Sequence, residues 1–436
     1  MISESRPLET AAEVLDYLYD LRLFGTKLGL ENPRRLSERL GSPHRQLNFI
    51  HVAGTNGKGS VCAFLESVYR AAGYRVGLFT SPHLVHFGER IQVNRQPLPD
   101  NQLVTLVNEI RTVLATLRQD HHPTFFEIVV VLGALHFCRE KCDVVIWETG
   151  MGGRLDATNI VDPIMTIITN VSSDHQQWLG DTIAKIAGEK AGIMKPSVPL
   201  VHGVKDPDAL SVVENRAREL GIVIETADRS LFEGIMPTPE LSLLGSHQLD
   251  NAALVWRTID LLQDRLPVKE ADVRSGLADV RWPGRMQRIL RADQEIILDC
   301  AHNDASIEAL CHYLDEHVGG QSICAILGVL EDKGFERWLP MLLERVSELR
   351  VVAVKSGRTV LPEKVLEFAK EQHTPIPVSG FSELREALGD GVERKPLLLI
   401  CGSVYLIGEA MSLLKDEALN PTHSALNEWG KRSGYR

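Results

Sequence analysis

His51-Val52-Ala53-Gly54-Thr55-Asn56-Gly57-Lys58-Gly59-Ser60 continues an alternating apolar run, Leu47, Phe49 and Val52, that reads as a strand. It opens onto Val61, Phe64, Leu65 and Val68, which recur at helical spacing. A glycine-rich turn between a strand and a helix N-terminus is an anion site. Its N–H groups converge, the helix dipole favours negative charge, and glycine lets a phosphate approach the backbone. Lys58 adds a full positive charge, and Ser60 offers a hydroxyl able to ligate Mg²⁺. The spacing departs from the usual phosphate loop: Gly59 separates Lys58 from Ser60, and only Thr55 and Asn56 separate Gly54 from Gly57.

Outward from this stretch, strand ends carry polar groups. Arg75–Phe79 predicts a strand ending at Thr80-Ser81-Pro82-His83-Leu84. Ligands of open α/β sheets bind at such carboxyl ends, so Ser81 is a candidate metal or phosphate ligand; the alternative is a turn serine. Val144-Val145-Ile146-Trp147 is a continuous apolar run, as expected of a central parallel strand, with Glu148 at its end. A carboxylate beside a phosphate loop can hold a nucleotide's Mg²⁺. A glycine-rich stretch, Gly150 to Asn159, follows it. Ile164–Thr169 leads to Asn170-Val171-Ser172-Ser173-Asp174-His175, where His175 is a candidate metal ligand. A helical stripe, Ile183, Ile186, Ala187 and Ala191, places Glu189 and Lys190 late in its helix.

At 436 residues, two domains are expected. Trp282-Pro283-Gly284-Arg285 breaks the helical pattern, and the boundary is placed just after it, giving domains 1–285 and 286–436. The first reads as a phosphate-loop ATPase-type α/β domain with a mostly parallel sheet. The second reads as a smaller Rossmann-like α/β domain, with Asp299-Cys300-Ala301-His302-Asn303 and Cys401-Gly402-Ser403 at strand ends. A helix over 8–22, a loop over Phe24–Glu31, a solvated loop at His121-His122 and a loosely held tail after Lys415 complete the reading.

The net charge of −11 argues against nucleic-acid binding, which needs a basic face. Seven cysteines, an odd number mostly in apolar runs, fit buried thiols in a reducing compartment. No signal-like N-terminus and no run of about 18 apolar residues is seen, so a cytoplasmic protein that spans no membrane is expected.

Together these segments resemble the folylpolyglutamate synthase / dihydrofolate synthase family of the Mur ligase superfamily. The resemblance is carried by His51–Ser60, Thr80–Leu84, Thr124–Glu127, Gly150–Asn159, Asp174-His175, Glu189–Ile193, His247–Ala252, Pro283-Gly284-Arg285 and Asp299–Asn303. It implies an ATP-dependent amide ligase that joins L-glutamate to dihydropteroate, a tetrahydrofolate or both, through an acyl phosphate. It further implies that Gly54, Thr55, Asn56, Gly57, Lys58, Gly59 and Ser60 wrap the ATP phosphates. Ser60 and Glu148 would hold one Mg²⁺, and Ser81, Glu148 and His175 a second. Lys190 matches a lysine carried as a carbamate. Asn251 matches an adenine contact, and Arg285, Asp299 and His302 match nucleotide contacts completed when the domains close. Catalytic weight would fall on Lys58, Glu148, His175, Lys190 and His302. Phe125, Phe126 and Asp156 are candidates for the pterin, since a flat heterocycle wants stacking and a carboxylate for its ring N–H groups. Lys333 and Ser403 are candidates for the glutamate pocket. A monomer is the family's expectation. Cys300 and Asp304 stand where the family usually has glycine and proline.

Two rivals follow from the same residues. A cell-wall amino-acid ligase shares the ATP machinery but typically needs a further N-terminal domain for a UDP group. A phosphate-loop switch or assembly ATPase would have no use for His175, Lys190, Asp299 or His302.

Overall fold

The computed structural model describes residues 6–21, 29–116, 122–232, 238–291, 294–389 and 397–416. The expected loop over 24–28, His121 and the tail beyond Asp416 lie outside them. The described residues divide into two compact units. One takes the chain up to Pro82, Gly88–Ser242 and Leu249–Val280; the other takes His83–Phe87, Leu243–Gln248 and the chain from Arg281 on.

The first unit is built on an eight-stranded sheet of β1 (Phe49–Ala53), β2 (Val76–Phe79), β3 (Ile91–Val93), β4 (Gln96–Pro97), β5 (Val144–Glu148), β6 (Pro163–Ile168), β7 (Leu200–His202) and β8 (Ile224–Thr226). Their order is β4-β3-β2-β5-β1-β6-β7-β8. Six strands are parallel, and β3 and β4 form an antiparallel edge. Every residue of β1, β5 and β6 is buried; β5 and β6 accordingly read as apolar runs, whereas His51 breaks the run in β1 and gave it an alternating look. The sheet's register sets the site. Val52 pairs with Glu148, Ala53 with Ile168, and Phe79 with Trp147, so the loops after β1, β2, β5 and β6 leave one edge.

Helices cover the faces. Lys58–Ala71 starts directly after the phosphate loop, with Gly57 at its N-cap in the left-handed region. It packs tightly on Glu270–Ala278, where a Cβ at Gly276 would fall 2.5 Å from Val68 Cα. Thr124 and Glu127 form a capping box that fixes the start of helix Phe125–Arg139, placing both phenylalanines in its first turn. Thr182 caps helix Ile183–Ala191, which carries Lys190 in its last turn.

The second unit has a six-stranded sheet of β9 (Gln287–Arg291), β10 (Gln294–Leu298), β11 (Ile323–Leu327), β12 (Glu348–Val352), β13 (Val378–Phe381) and β14 (Leu397–Cys401), ordered β13-β12-β11-β14-β10-β9. Alternate residues feed two cores. Ile297, Ala325, Leu327 and Leu399 join one cluster with Trp338; Ile296, Leu298, Ile326 and Ile400 join the other. Both faces are therefore covered, and β11, β14 and the Ile296–Leu298 end of β10 read as continuous apolar runs. The segment His83–Phe87 belongs here: Val85 is buried in the second cluster, and a Cβ at Gly408 would fall 2.0 Å from the Leu84 carbonyl oxygen. β9 is an antiparallel edge strand that the sequence does not announce, because Arg288 and an exposed Leu290 interrupt any apolar face. Among the described residues, no helix is long and apolar enough to cross a membrane.

Candidate active site

The phosphate loop is held from the neighbouring strand end. Thr55 N–H donates to the Asn170 carbonyl at 3.0 Å. Asn56 N–H donates to Asn170 Oδ1 at 3.0 Å, and Asn170 Nδ2 donates back to the Asn56 carbonyl at 3.0 Å. Thr169 Oγ1 donates to the same carbonyl at 2.6 Å, and Thr55 Oγ1 and the backbone of Ser172 bond each other in both directions at 3.0 Å. The N–H groups of Thr55 and Asn56 are thus turned to the protein. The first bond inside the helix runs from Val61 N–H to the Gly57 carbonyl, so the N–H groups at its start precede the helical ladder. A helix N-terminus of this kind favours an anion.

Two glycines are required by this packing. Gly54 has φ +150° and a Cβ there would lie 1.8 Å from Thr169 Oγ1. Gly57 has φ +81° and a Cβ would lie 2.6 Å from Asn251 Oδ1, which places Asn251 against the loop. Lys58 Nζ donates to the carbonyls of Gly54 and Thr55 at 3.0 and 3.1 Å, curling over the loop. Ser60, at the third helical position, is buried.

Glu148 is buried at the end of β5, and its Oε2 accepts the Ser81 N–H at 3.0 Å. The β2 and β5 ends are therefore joined through two candidate ligands. His175 is in the left-handed region at φ 51°, with its N–H on Asp174 Oδ1 at 2.8 Å. Lys190 is 2 % exposed. Burial, and next the charge of Lys58, pull its ammonium down to about 7, while Asp174 and Asp156 oppose the shift. Lys190 therefore lies within electrostatic reach of the phosphate-loop lysine and of the two acids.

The glycine-rich loop after β5 docks on the helix that carries Lys190. Arg154 N–H donates to the Glu189 carbonyl at 2.7 Å, and its guanidinium meets Glu189 Oε1 at 2.7 and 3.1 Å. A Cβ at Gly153 would fall 2.8 Å from the Glu189 carbonyl oxygen, and one at Gly192 2.3 Å from Arg154 Cβ. Phe126 and Asp156 meet at Gly150, where a Cβ would lie 2.5 Å from Phe126 Cζ and 3.2 Å from Asp156 Oδ2. Phe125 turns elsewhere, packing on Tyr19 and under the Arg90 guanidinium. The Asp156 carboxylate accepts from its own loop: Met151 N–H at 2.7 Å, Thr158 N–H at 3.0 Å, Thr158 Oγ1 at 2.5 Å, and Gly150 N–H. Burial raises its pKa, and these donors oppose the rise.

The remaining candidates sit at strand ends of the second unit. Asp299 is buried, accepts Met286 N–H at 2.7 Å and Ala301 N–H at 2.8 Å, and is pushed up by burial while Arg285 opposes. His302 Nδ1 faces the Cys300 carbonyl at 2.7 Å, which puts the ring proton on Nδ1. Gly402 N–H donates to the Ala301 carbonyl and Gly328 N–H to the Cys401 carbonyl, so the loops after β10, β14 and β11 are neighbours. Ser403 and Lys333, on these loops, are both buried. Cys300 is buried, and its thiol is pushed up to about 11 by burial.

The sequence reading did not single out Thr169, Asn170, Thr158 or the Arg154–Glu189 clamp. Asn170 carried a signal as a polar residue ending a buried strand. Among the described residues no group of three or more His, Cys, Asp and Glu side chains gathers as a metal cluster. An oxygen-rich set of few protein ligands instead suits Mg²⁺, which binds mainly through water and phosphate.

The model of the Mur ligase middle domain matches residues 52–257, and that of the Mur ligase glutamate ligase domain matches 284–404. Dihydrofolate synthase/folylpolyglutamate synthase from Bacillus subtilis is 33% identical over 420 residues, 90% of this chain and 96% of the relative. The Escherichia coli protein of the same name is 32% identical, covering 92% and 95%. The structure of E. coli FolC in complex with DHPP and ADP superposes with a TM-score of 0.84 at 30% identity, covering 95% of this chain and 100% of that one. A bifunctional folylpolyglutamate synthase/dihydrofolate synthase from Yersinia pestis, complexed with AMPPNP and Mn ion, gives 0.80 at 31% identity, covering 94% and 99%. The chain belongs to the dihydrofolate synthase/folylpolyglutamate synthase family of Mur ligases, and it is an ATP-dependent ligase that forms C–N bonds.

Proposed function

We propose that the enzyme attaches L-glutamate to a pteroyl carboxylate, with dihydropteroate and a reduced folate as the two acceptors. The acceptor carboxylate attacks the γ-phosphorus of ATP, ADP leaves, and an acyl phosphate forms. The neutral amine of glutamate then attacks the acyl carbon. The tetrahedral adduct loses a proton and expels phosphate, leaving an amide. Such chemistry asks the protein mainly to position and neutralise anions.

The observation that carries this reading is the alignment of the ends of β1, β2, β5 and β6, which gathers a phosphate loop, Ser81 and Glu148 on one edge. The helix start at Lys58 receives phosphate oxygens, and Lys58 Nζ swings from its loop carbonyls onto them. Ser60, Ser81, Glu148 and His175 are the ligands we assign to two Mg²⁺. The ions would supply charge neutralisation at the phosphates. Lys190 suits a carbamate: burial pulls its pKa down to about 7, so a large share of the amine is uncharged near neutrality, and the neutral amine is the form that takes up CO₂. Asn251, Arg285, Asp299 and His302 are assigned to the nucleotide, and Lys333 and Ser403 to glutamate. Phe126 and the loop shaped by Asp156 take the heterocycle, with Phe125 supporting the same helix start.

We place the enzyme in the cytoplasm as a monomer, a location consistent with seven free cysteines. The test is phosphate release from ATP with L-glutamate, run separately with dihydropteroate and with tetrahydrofolate. Release with both supports bifunctionality, and release with one assigns the acceptor. Release without any acceptor, unaffected by Glu148→Ala, overturns the reading in favour of a switch ATPase.

A further inference from the structure

The ring of His51 is fully buried in the central strand of the first unit, between Trp147 on β5 and Thr166 on β6 in the register. None of the steps above uses it. A buried imidazole in a sheet is costly unless its polar atoms are engaged. Its Nε2 lies 2.9 Å from Thr158 Oγ1, and its Nδ1 is buried with no hydrogen-bond partner. Thr158 is itself fully buried, and its Oγ1 lies 2.5 Å from Asp156 Oδ1.

These contacts fix where the protons are. A contact of that length to a carboxylate requires the hydroxyl hydrogen to lie between the two oxygens, so Thr158 donates to Asp156. Thr158 Oγ1 must then accept from His51, which places the ring proton on Nε2. The opposite tautomer would bury an orphaned N–H at Nδ1 and leave Nε2 facing a lone pair. The bare Nδ1 acceptor of the observed arrangement is the lesser cost. Trp147 Nε1 holds the Thr158 carbonyl at 3.0 Å, so the residue between His51 and Asp156 cannot turn away.

We propose that His51 and Thr158 are positioning residues for the acceptor: a one-way relay, His51 Nε2–H to Thr158 O–H to Asp156 Oδ1, holds the loop of Gly150 and Met151 against Phe126. The proposal rests on the reading of that loop as the acceptor's wall. It explains why a polar, rigid side chain occupies the middle of an otherwise apolar strand. The same carboxylate accepts Met151 N–H through Oδ2 and also accepts Gly150 N–H, so the relay passes from the sheet's centre to the loop's backbone. His51 stays neutral because burial, and next the charge of Lys195, hold its pKa down at about 3.

The test uses the full-length enzyme with Thr158→Val, Thr158→Ser, His51→Leu, His51→Gln and Asp156→Asn. Losing one buried hydrogen bond is worth about tenfold in the parameter it serves. Thr158→Val and His51→Leu are expected to raise KM for dihydropteroate and tetrahydrofolate about tenfold, leaving KM for ATP within about twofold. Thr158→Ser and His51→Gln keep the donors and are expected to stay near the parent values. ¹⁵N spectra, with His51 assigned by its loss in His51→Gln, should show an Nε2–H imidazole that does not titrate near neutrality. Parallel loss of kcat and thermal stability with both KM values unchanged would reduce the pair to scaffold and overturn the proposal, as would an Nδ1–H ring. The wall reading is tested apart: it fails if Asp156→Asn leaves acceptor KM unchanged, whatever the relay variants do.

Discussion

The side-chain amide of Asn170 grips both backbone groups of Asn56, accepting its N–H and donating to its carbonyl, each at 3.0 Å. One side chain at the end of β6 thereby does what a neighbouring strand would do for the loop after β1. Because the Thr55 hydroxyl bonds both backbone groups of Ser172 in the same way, the phosphate loop and the segment leading to His175 are tied together. Asn170→Ala should take away the Asn170 partner of the Asn56 N–H, while the carbonyl keeps its bond from Thr169 Oγ1, and so loosen the loop. We expect kcat/KM for ATP to fall about 10- to 100-fold. Glutamate and acceptor KM values, read in the same steady-state assay, should change far less.

Gly54→Ala should be worse than Asn170→Ala. A methyl at Gly54 would overlap Thr169 Oγ1, and the backbone there is in a region that disfavours a side chain. The expected outcome is a folded protein by circular dichroism with no measurable ATP binding by calorimetry. A variant that binds ATP normally would show that the loop can shift to accept the methyl.

Glu148→Gln keeps the size of the side chain and can still accept from Ser81 N–H through its amide oxygen. It removes the charge. We expect kcat to fall about 10²–10³-fold with a folded protein of near-parent melting temperature. Raising Mg²⁺ in the assay should recover part of the loss if the charge holds the ion.

Lys190→Ala should abolish turnover, and millimolar acetate or propionate should restore a part of it by standing in for a carbamate. Depleting CO₂ should lower the parent enzyme's rate, and bicarbonate should return it. Insensitivity of both proteins to these additions would show that the amine itself is the working group.

His51 makes a pH prediction. Its folded pKa is about 3, below the ordinary imidazole value of 6.5. Between these values the unfolded chain binds a proton that the folded chain refuses. Its contribution therefore favours the folded state less and less as pH falls from about 6.5 toward about 3, and is constant above that window. Glutamine lacks this proton. The drop in melting temperature between about pH 7 and about pH 5 should be smaller for His51→Gln than for the parent.

Much of the site was legible because its signals are local. Gly54–Ser60 announces itself by a glycine-rich turn between two periodic segments, and Glu148 by an acid closing an apolar run. The stripe of Ile183, Ile186, Ala187 and Ala191 forms helix Ile183–Ala191, with Lys190 in its last turn. The relationships that shape these residues were not legible, because they join distant positions. Asn170 and Asn56 are 114 apart, and His51 and Thr158 are 107 apart. Nothing in either neighbourhood names the partner. Asp156 looks from sequence like a carboxylate offered to a heterocycle, whereas its oxygens accept from Gly150, Met151 and Thr158 of its own loop. Edge strand β9 was hidden because a strand with one open side need not be apolar.

The most direct test of the proposed chemistry follows an oxygen atom. Dihydropteroate labelled with ¹⁸O in its carboxylate is turned over with ATP and L-glutamate, and the released phosphate is analysed by mass spectrometry. Passage through an acyl phosphate predicts one ¹⁸O in each phosphate released per amide formed. Unlabelled phosphate accompanying amide formation would contradict it.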